Sequence, residues 1–275
     1  PSDWVNGPGG IRPDPRPWAE VAPEYAFVSE LEALEPFVQG TGNQERFRYW
    51  IETFRYHRAM AQVNCTWGAL NRAMDRAKIS SRDVLRVESA KMFALPLWYS
   101  LARQIDQIHA HLLATVSTTG ELGTIANWEQ HLLPSLLKTG ADLAELIGTT
   151  LPPDFLPSKF YYGPTRVIVP TRRSALTIGE DFQLKIIVLS QVRPTEVWVK
   201  WRPLGPGPFA PVPASHVARG VYQARLPGKL IARADFEYFV EAVLPGGSKV
   251  LYPATAPSLN ESVVLLGTSF GTPSQ

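Results

Sequence analysis

The sequence predicts an α+β chain in two parts, an N-terminal antiparallel helical bundle followed by an all-β sandwich. Three observations predict it. Apolar residues recur at steps of three and four between Tyr25 and Ile147. From Arg166 onward they recur at steps of two. Between the two patterns lies Leu151-Pro152-Pro153-Asp154-Phe155-Leu156-Pro157, too rich in proline for either.

The bulk composition allows this. A chain of 275 residues holds one large or two ordinary domains, and 45% hydrophobic with 19% charged residues suffices for a buried core. The net charge of +2 is spread along the chain. It makes no dense basic patch, so nucleic acid is excluded as a partner. No apolar run reaches the roughly 18 residues of a membrane span. The single cysteine, Cys65, excludes an internal disulfide framework.

Each segment follows in order. Residues 1–23 carry Pro1, Pro8, Pro13, Pro15, Pro17 and Pro23, and read as a linker pinned by Trp4 and Trp18. A linker-like start at Pro1 reads as a piece of a longer chain. The bundle occupies residues 24–150. A short helix through Phe27, Leu31 and Leu34 stops before Pro36. Asn43 caps a long helix to about Ala77, with a stripe from Phe47, Trp50 and Ile51 to Met74. Gly68 weakens its middle. The next helix starts near Ser81 and Asp83 and runs to about Thr115. The last follows Gly120–Gly123 and ends at Gly148. Pro96 and Pro134 should kink these two. Helices of this kind pack as an antiparallel bundle.

Residues 151–161 form a stiff hinge, residues 162–268 the sandwich, and residues 269–275 a flexible tail. Strands are expected at Arg166–Pro170, Phe182–Leu189, Glu196–Arg202, Gly220–Leu226, Asp235–Val243 and Ser262–Leu266, with short ones near Phe209 and Val250. About seven strands over roughly 105 residues suit an immunoglobulin- or fibronectin-III-like sandwich. Val197, Val199, Phe236, Tyr238, Val240 and Ala242 should point inward, and Trp198, Lys200, Glu237, Phe239 and Glu241 outward.

The chemistry-bearing residues are sparse. His109-Ala110-His111 is the only close histidine pair. At i and i+2 the two rings diverge on a helix, so they make a poor chelate. No metal and no cofactor is expected. Cys65 reads as a buried inert thiol in mid-helix. No phosphate-binding loop or nucleophile elbow occurs. The acid/base candidates are His57, His131, Glu45 and Glu52. Both histidines sit among apolar helical neighbours and read as packed, and the glutamates as solvated helix surface.

Eight Trp and nine Tyr are the more informative class, since sugars stack their C–H faces on aromatic rings. Trp50, Trp67, Trp98 and Trp128 fall on helical stripes and read as core. Trp4, Trp18, Tyr161, Tyr162 and Trp198 remain as carbohydrate-contact candidates, with Tyr161 and Tyr162 equally explained as residues at the seam between the two parts.

Two stretches, Phe47-Arg48-Tyr49-Trp50-Ile51-Glu52-Thr53-Phe54-Arg55-Tyr56-His57-Arg58-Ala59-Met60-Ala61 and Phe236–Ala242 followed by Tyr252-Pro253-Ala254-Thr255-Ala256-Pro257, resemble the C-terminal region of large, secreted, multidomain bacterial glycoside hydrolases. There, a helical segment and an immunoglobulin-like module follow a catalytic (β/α)-barrel. The resemblance implies a secreted, periplasmic or cell-surface protein whose catalytic carboxylates lie outside these residues. It implies a non-catalytic accessory region that supports the catalytic domain of the same polypeptide or complex and contacts polysaccharide. Two other readings stand beside it: a self-contained enzyme with a groove between its halves, and a protein-interaction or assembly subunit.

Overall fold

The computed structural model describes residues 11–267. It divides into two compact units, a helical one that comprises the described residues up to Gln39, Arg46–Val116 and Gly120–Phe160, and one built of sheets from Tyr161 onward, with which Gly40–Glu45 and Ser117–Thr119 group. The expected residues 269–275, and Trp4, lie outside the described residues.

The helical unit contains α1 (Trp18–Val21), α2 (Ala26–Leu34), α3 (Thr41–Lys78), α4 (Asp83–Ser89), α5 (Leu95–Ala114), α6 (Thr119–Asn127) and α7 (Leu133–Ile147). α3 starts at Thr41, so Asn43 lies inside its first turn rather than capping it. Gly120 and Gly123 lie inside α6 rather than before it.

Pro96 and Pro134 are each preceded by a single π-turn, Ala90–Ala94 and Trp128–Leu132. Proline has no N–H to give its own turn. The residue before it therefore reaches back five positions: Leu95 N–H bonds Ala90 O, and Leu133 N–H bonds Trp128 O. α4, its π-turn and α5 make one rod; α6, its π-turn and α7 make another. α4 lies beside α7, so the two run antiparallel. α7 ends at Gly148 in the left-handed region, φ 70°, where the Gly148 and Thr149 N–H groups close on Glu145 O and Ala144 O.

The bundle core is centred on Val63, Leu70, Trp98, Leu101, Trp128 and Leu136. Trp98 and Trp128 are core as expected, each 1% exposed, whereas Trp50 is 57% exposed. Trp50 adjoins buried Ile51, and neighbouring helical positions point about 100° apart, so one inward stripe cannot hold both.

In the helical unit two glycines permit close approach. Residues 11–16 are no free linker: Asp14 N–H bonds Asn64 O at 2.8 Å, and Arg72 Nη1 bonds Pro15 O at 2.9 Å. A Cβ on Gly68 would strike the Asp14 backbone, so this glycine seats that segment on α3. A Cβ on Gly140 would strike the Trp98 ring. The prolines after α7 lie against α5. Trp98 Nε1–H donates to Phe155 O at 2.7 Å, Arg103 Nη2 to Leu156 O at 2.6 Å, and Ser158 N–H to Asp106 Oδ1 at 2.6 Å.

The sheet unit contains β1 (Arg166–Ile168), β2 (Ala175–Thr177), β3 (Phe182–Leu189), β4 (Glu196–Pro203), β5 (Ala210–Pro213), β6 (Ser215–Ala218), β7 (Val221–Leu226), a one-turn α8 (Gly228–Ile231), β8 (Phe236–Val243), β9 (Lys249–Tyr252) and β10 (Glu261–Leu266). One sheet has the order β1-β3-β7-β6; the other has β2-β10-β8-β4-β5, with β9 also on β8. All pairs are antiparallel except β2 with β10. Both sheets bury one shared core, in which Phe182 packs edge-on against Phe236 and Tyr238. The inward set Val197, Val199, Phe236, Tyr238, Val240 and Ala242 is buried as its spacing predicts. Phe239 points outward yet is only 7% exposed, because Phe209 packs on it at 4.9 Å.

Candidate functional site

A linked group of titratable side chains lies in the helical unit, where α2 and α5 meet the first half of α3. Glu52 and Arg55 are one turn apart on α3 and share a face. Glu52 Oε2 lies 2.6 Å from His111 Nδ1 on α5, and Glu52 Oε1 lies 2.7 Å from Arg55 Nη1. Arg55 Nε and Arg58 Nη2 both donate to Glu32 Oε1 on α2, at 2.8 and 2.9 Å. Arg58 Nη1 reaches Ser29 Oγ at 3.3 Å. Three helices are thereby joined through one chain of charge.

Burial alone would push the Glu52 carboxyl above its ordinary pKa. The hydrogen bonds from His111 and Arg55 outweigh it and hold the group below that value. Glu32 behaves alike: burial raises it, and Arg55 and Arg58 lower it further. Both carboxylates are charged and occupied, so each resists acting as a base. His111 keeps Nδ1 on Glu52, an arrangement that fixes the orientation of its ring.

The other acid/base candidates do not join this group. His57 is exposed, with its ring against Tyr56 at 5.5 Å. His131 is exposed too, and Glu45 lies on the exposed start of α3. Packed histidines were expected at both positions. The π-turn that carries His131 inserts an extra residue, which rotates the helical face away from the regular stripe. His111 is the member that sequence spacing misses. Its i, i+2 partner diverges as expected: His109 Nε2 faces Glu129 Oε1 at 3.3 Å, without hydrogen-bond alignment. Cys65 is buried and free, and burial followed by the Asp14 carboxylate pushes its thiol up. Among the described residues, no group of three or more His, Cys, Asp or Glu could hold a metal ion.

The aromatic candidates are dispersed. In the helical unit Trp18 is half-buried against Tyr25, with ring centroids 6.2 Å apart. In the sheet unit Tyr161 folds back, its hydroxyl donating to Pro164 O at 2.6 Å, while Tyr162 is 63% exposed. Trp198 lies on the outer face of β4. Its Nε1–H donates to Glu196 Oε2 at 2.8 Å, and Lys200 Nζ lies 5.4 Å from its ring centre.

Around Trp198 runs an outward ladder set by the strand register. Trp198, Lys200 and Arg202 on β4 stand opposite Glu241, Phe239 and Glu237 on β8. Arg202 pairs with Glu237 and covers the Phe209 ring at 4.2 Å. Glu237 is raised by burial and lowered more by Asn260 and Arg202. Asn260, in a glycosylation-type triplet, is thus engaged at 2.8 Å through Nδ2.

A further aromatic run was not expected. Phe27, Phe54, Trp50 and Tyr49 follow one another at 5.3, 6.3 and 5.4 Å between ring centroids. Phe27 and Trp50 are exposed, and so is nearby-in-sequence Phe37 at 77%. No helix among the described residues is long and apolar enough to cross a membrane. Compared with known proteins, the chain matches no family model and no curated relative.

Proposed function

We propose that this chain is a non-catalytic accessory region of a carbohydrate-processing enzyme, supporting the catalytic domain of the same polypeptide or complex. The observation that carries the reading is the state of Glu52. A glycosidase acid needs a carboxyl raised toward neutrality and free to reach substrate. Glu52 is instead held low, with one oxygen on Arg55 and the other on His111. It braces α3 to α5.

The strand order supports an immunoglobulin-like identity for the sheet unit. Four strands in one sheet face a second sheet whose centre is β10-β8-β4, and the first strand is split into β1 and β2, one in each sheet. The exposed run Phe27–Trp50 suits contact with another protein domain, as large exposed apolar surfaces do. Tyr162 and Trp198 are the residues offered to polysaccharide.

Affinity electrophoresis in gels containing soluble polysaccharides tests that contact. Retardation by at least one polysaccharide, weakened in Tyr162→Ala or Trp198→Ala, is expected. Equal mobility of the wild type in every gel removes the carbohydrate contact and leaves the supporting role alone.

A further inference from the structure

We infer that the helical unit carries a preformed groove for a small neutral amphiphile, an alkyl or aryl chain bearing a polyhydroxyl head. This does not rest on the accessory reading.

The groove has two adjoining halves. The wide half has a volume of about 530 Å³, within the usual size of ligand sites, and is walled by Trp98, Leu133, Leu137, Leu151 and Leu156. Its room comes from the small residues Gly140, Ala141 and Ala144, which α7 presents between and beyond Leu133 and Leu137. Gly140 is forced by the Trp98 ring, which leaves no space for a Cβ. Leu137 and Leu156 remain 39% and 46% exposed at the rim, apolar surface that a hydrocarbon would cover.

The narrow half, about 230 Å³, shares Leu133, Pro157, Ser158 and Lys159 with the wide one, so the two adjoin across these residues. Its wall is largely apolar, from Ile105, Trp128, Leu133 and Pro157, but Asp106, His109, Glu129 and Lys159 bring polar groups to it. Glu129 belongs to the second π-turn, a local distortion common at functional sites.

The charges there choose the head group. Asp106 is committed to Arg103, 3.0 Å away, and to the Ser158 N–H at 2.6 Å. That leaves one carboxylate, Glu129, which His109 Nε2 approaches at 3.3 Å without a hydrogen bond, and one ammonium, Lys159. Net charge on a ligand would be unmatched on one side. Hydroxyl groups fit both, donating to Glu129 and accepting from Lys159. His109 Nε2, buried and without a hydrogen bond, supplies a third polar contact. The 150–159 segment that closes the groove is already held by the Trp98, Arg103 and Asp106 bonds, so the site needs little ordering on binding.

Titration calorimetry of the full chain with octyl β-glucoside below its micelle concentration tests this, with octanoate, octyltrimethylammonium and glucose as comparison ligands. Saturable binding of the glucoside, at least tenfold tighter than either charged analogue, is expected, with no heat from glucose. Ala141→Phe, at an exposed position, should fill the groove and abolish binding. Glu129→Gln, on the surface, should weaken the glucoside at least threefold and leave the analogues' order of affinity nearer to equal. Equal affinity for all three amphiphiles, tighter binding of octanoate, no saturable binding, or binding unchanged in both variants would overturn the inference.

Discussion

The two units solve the same packing problem by different means. In the sheet unit, the core is built by alternation: β3 and β8 bury every second residue, β8 adding Phe239 on its outer face, and their partners are set by register. In the helical unit, the decisive contacts join residues far apart in sequence through single polar atoms and missing side chains. Trp67 Nε1–H bonds buried Thr139 Oγ1 at 2.8 Å, Trp98 bonds Phe155 O, Glu52 bonds His111, and Gly68 and Gly140 admit a backbone and a ring. The lesson is that a periodic core tolerates local change, whereas a core assembled from singular contacts is brittle at each of them.

That contrast can be broken or sharpened by substitution. Trp98→Ala removes a buried ring and the anchor for Phe155, and should destabilise the helical unit by about 4 kcal/mol. Hydrogen exchange should show faster exchange throughout α5 and α7 and little change in β3 and β8. Equal loss of protection in both units would break the comparison.

Gly68→Ala should cost about 2 kcal/mol, since the new Cβ must displace the Asp14 backbone. The effect should appear first as exposure of residues 11–16 to limited proteolysis.

Glu52→Gln should cost about 1.5 kcal/mol by replacing charge-assisted hydrogen bonds with neutral ones. It also carries a pH signature. Glu52 and Glu32 sit below their ordinary value of 4.5 in the folded chain. Their contribution is therefore complete above that pH and is lost as pH falls through the folded values. Denaturation midpoints measured from pH 6 to about 3 should decline more gently in the variant. An identical acid limb would remove Glu52 from the brace.

The smallest effect should have the opposite sign. The Tyr238 hydroxyl is buried without a partner, so Tyr238→Phe should gain up to about 1 kcal/mol. Tyr252→Phe, which loses a 2.9 Å bond to Glu261, should lose about as much. A pair of like sign would show that the sheet core, too, depends on single polar atoms.

Legibility in the sequence followed the same division. The inward faces of β4 and β8 could be read because side-chain direction has a strict period. β2 and β6 could not: the first has three residues, and the second is an exposed edge with no buried face to impose alternation. The helices were visible, but the π-turns were not, since proline announces a disturbed turn without saying how it is resolved. Glu52 is a candidate on sequence alone, yet its partner His111 lies 59 positions away and has no local signal. Gly68 looked like a weakness in a long helix because the segment it accommodates is visible only in three dimensions.

The most direct test of the accessory reading is a reducing-sugar assay of the folded chain on a panel of polysaccharides, with the wild type and Glu52→Gln side by side. No release of reducing ends by either protein is predicted. Release by the wild type that disappears in a folded Glu52→Gln variant would make Glu52 a catalytic group and contradict the account.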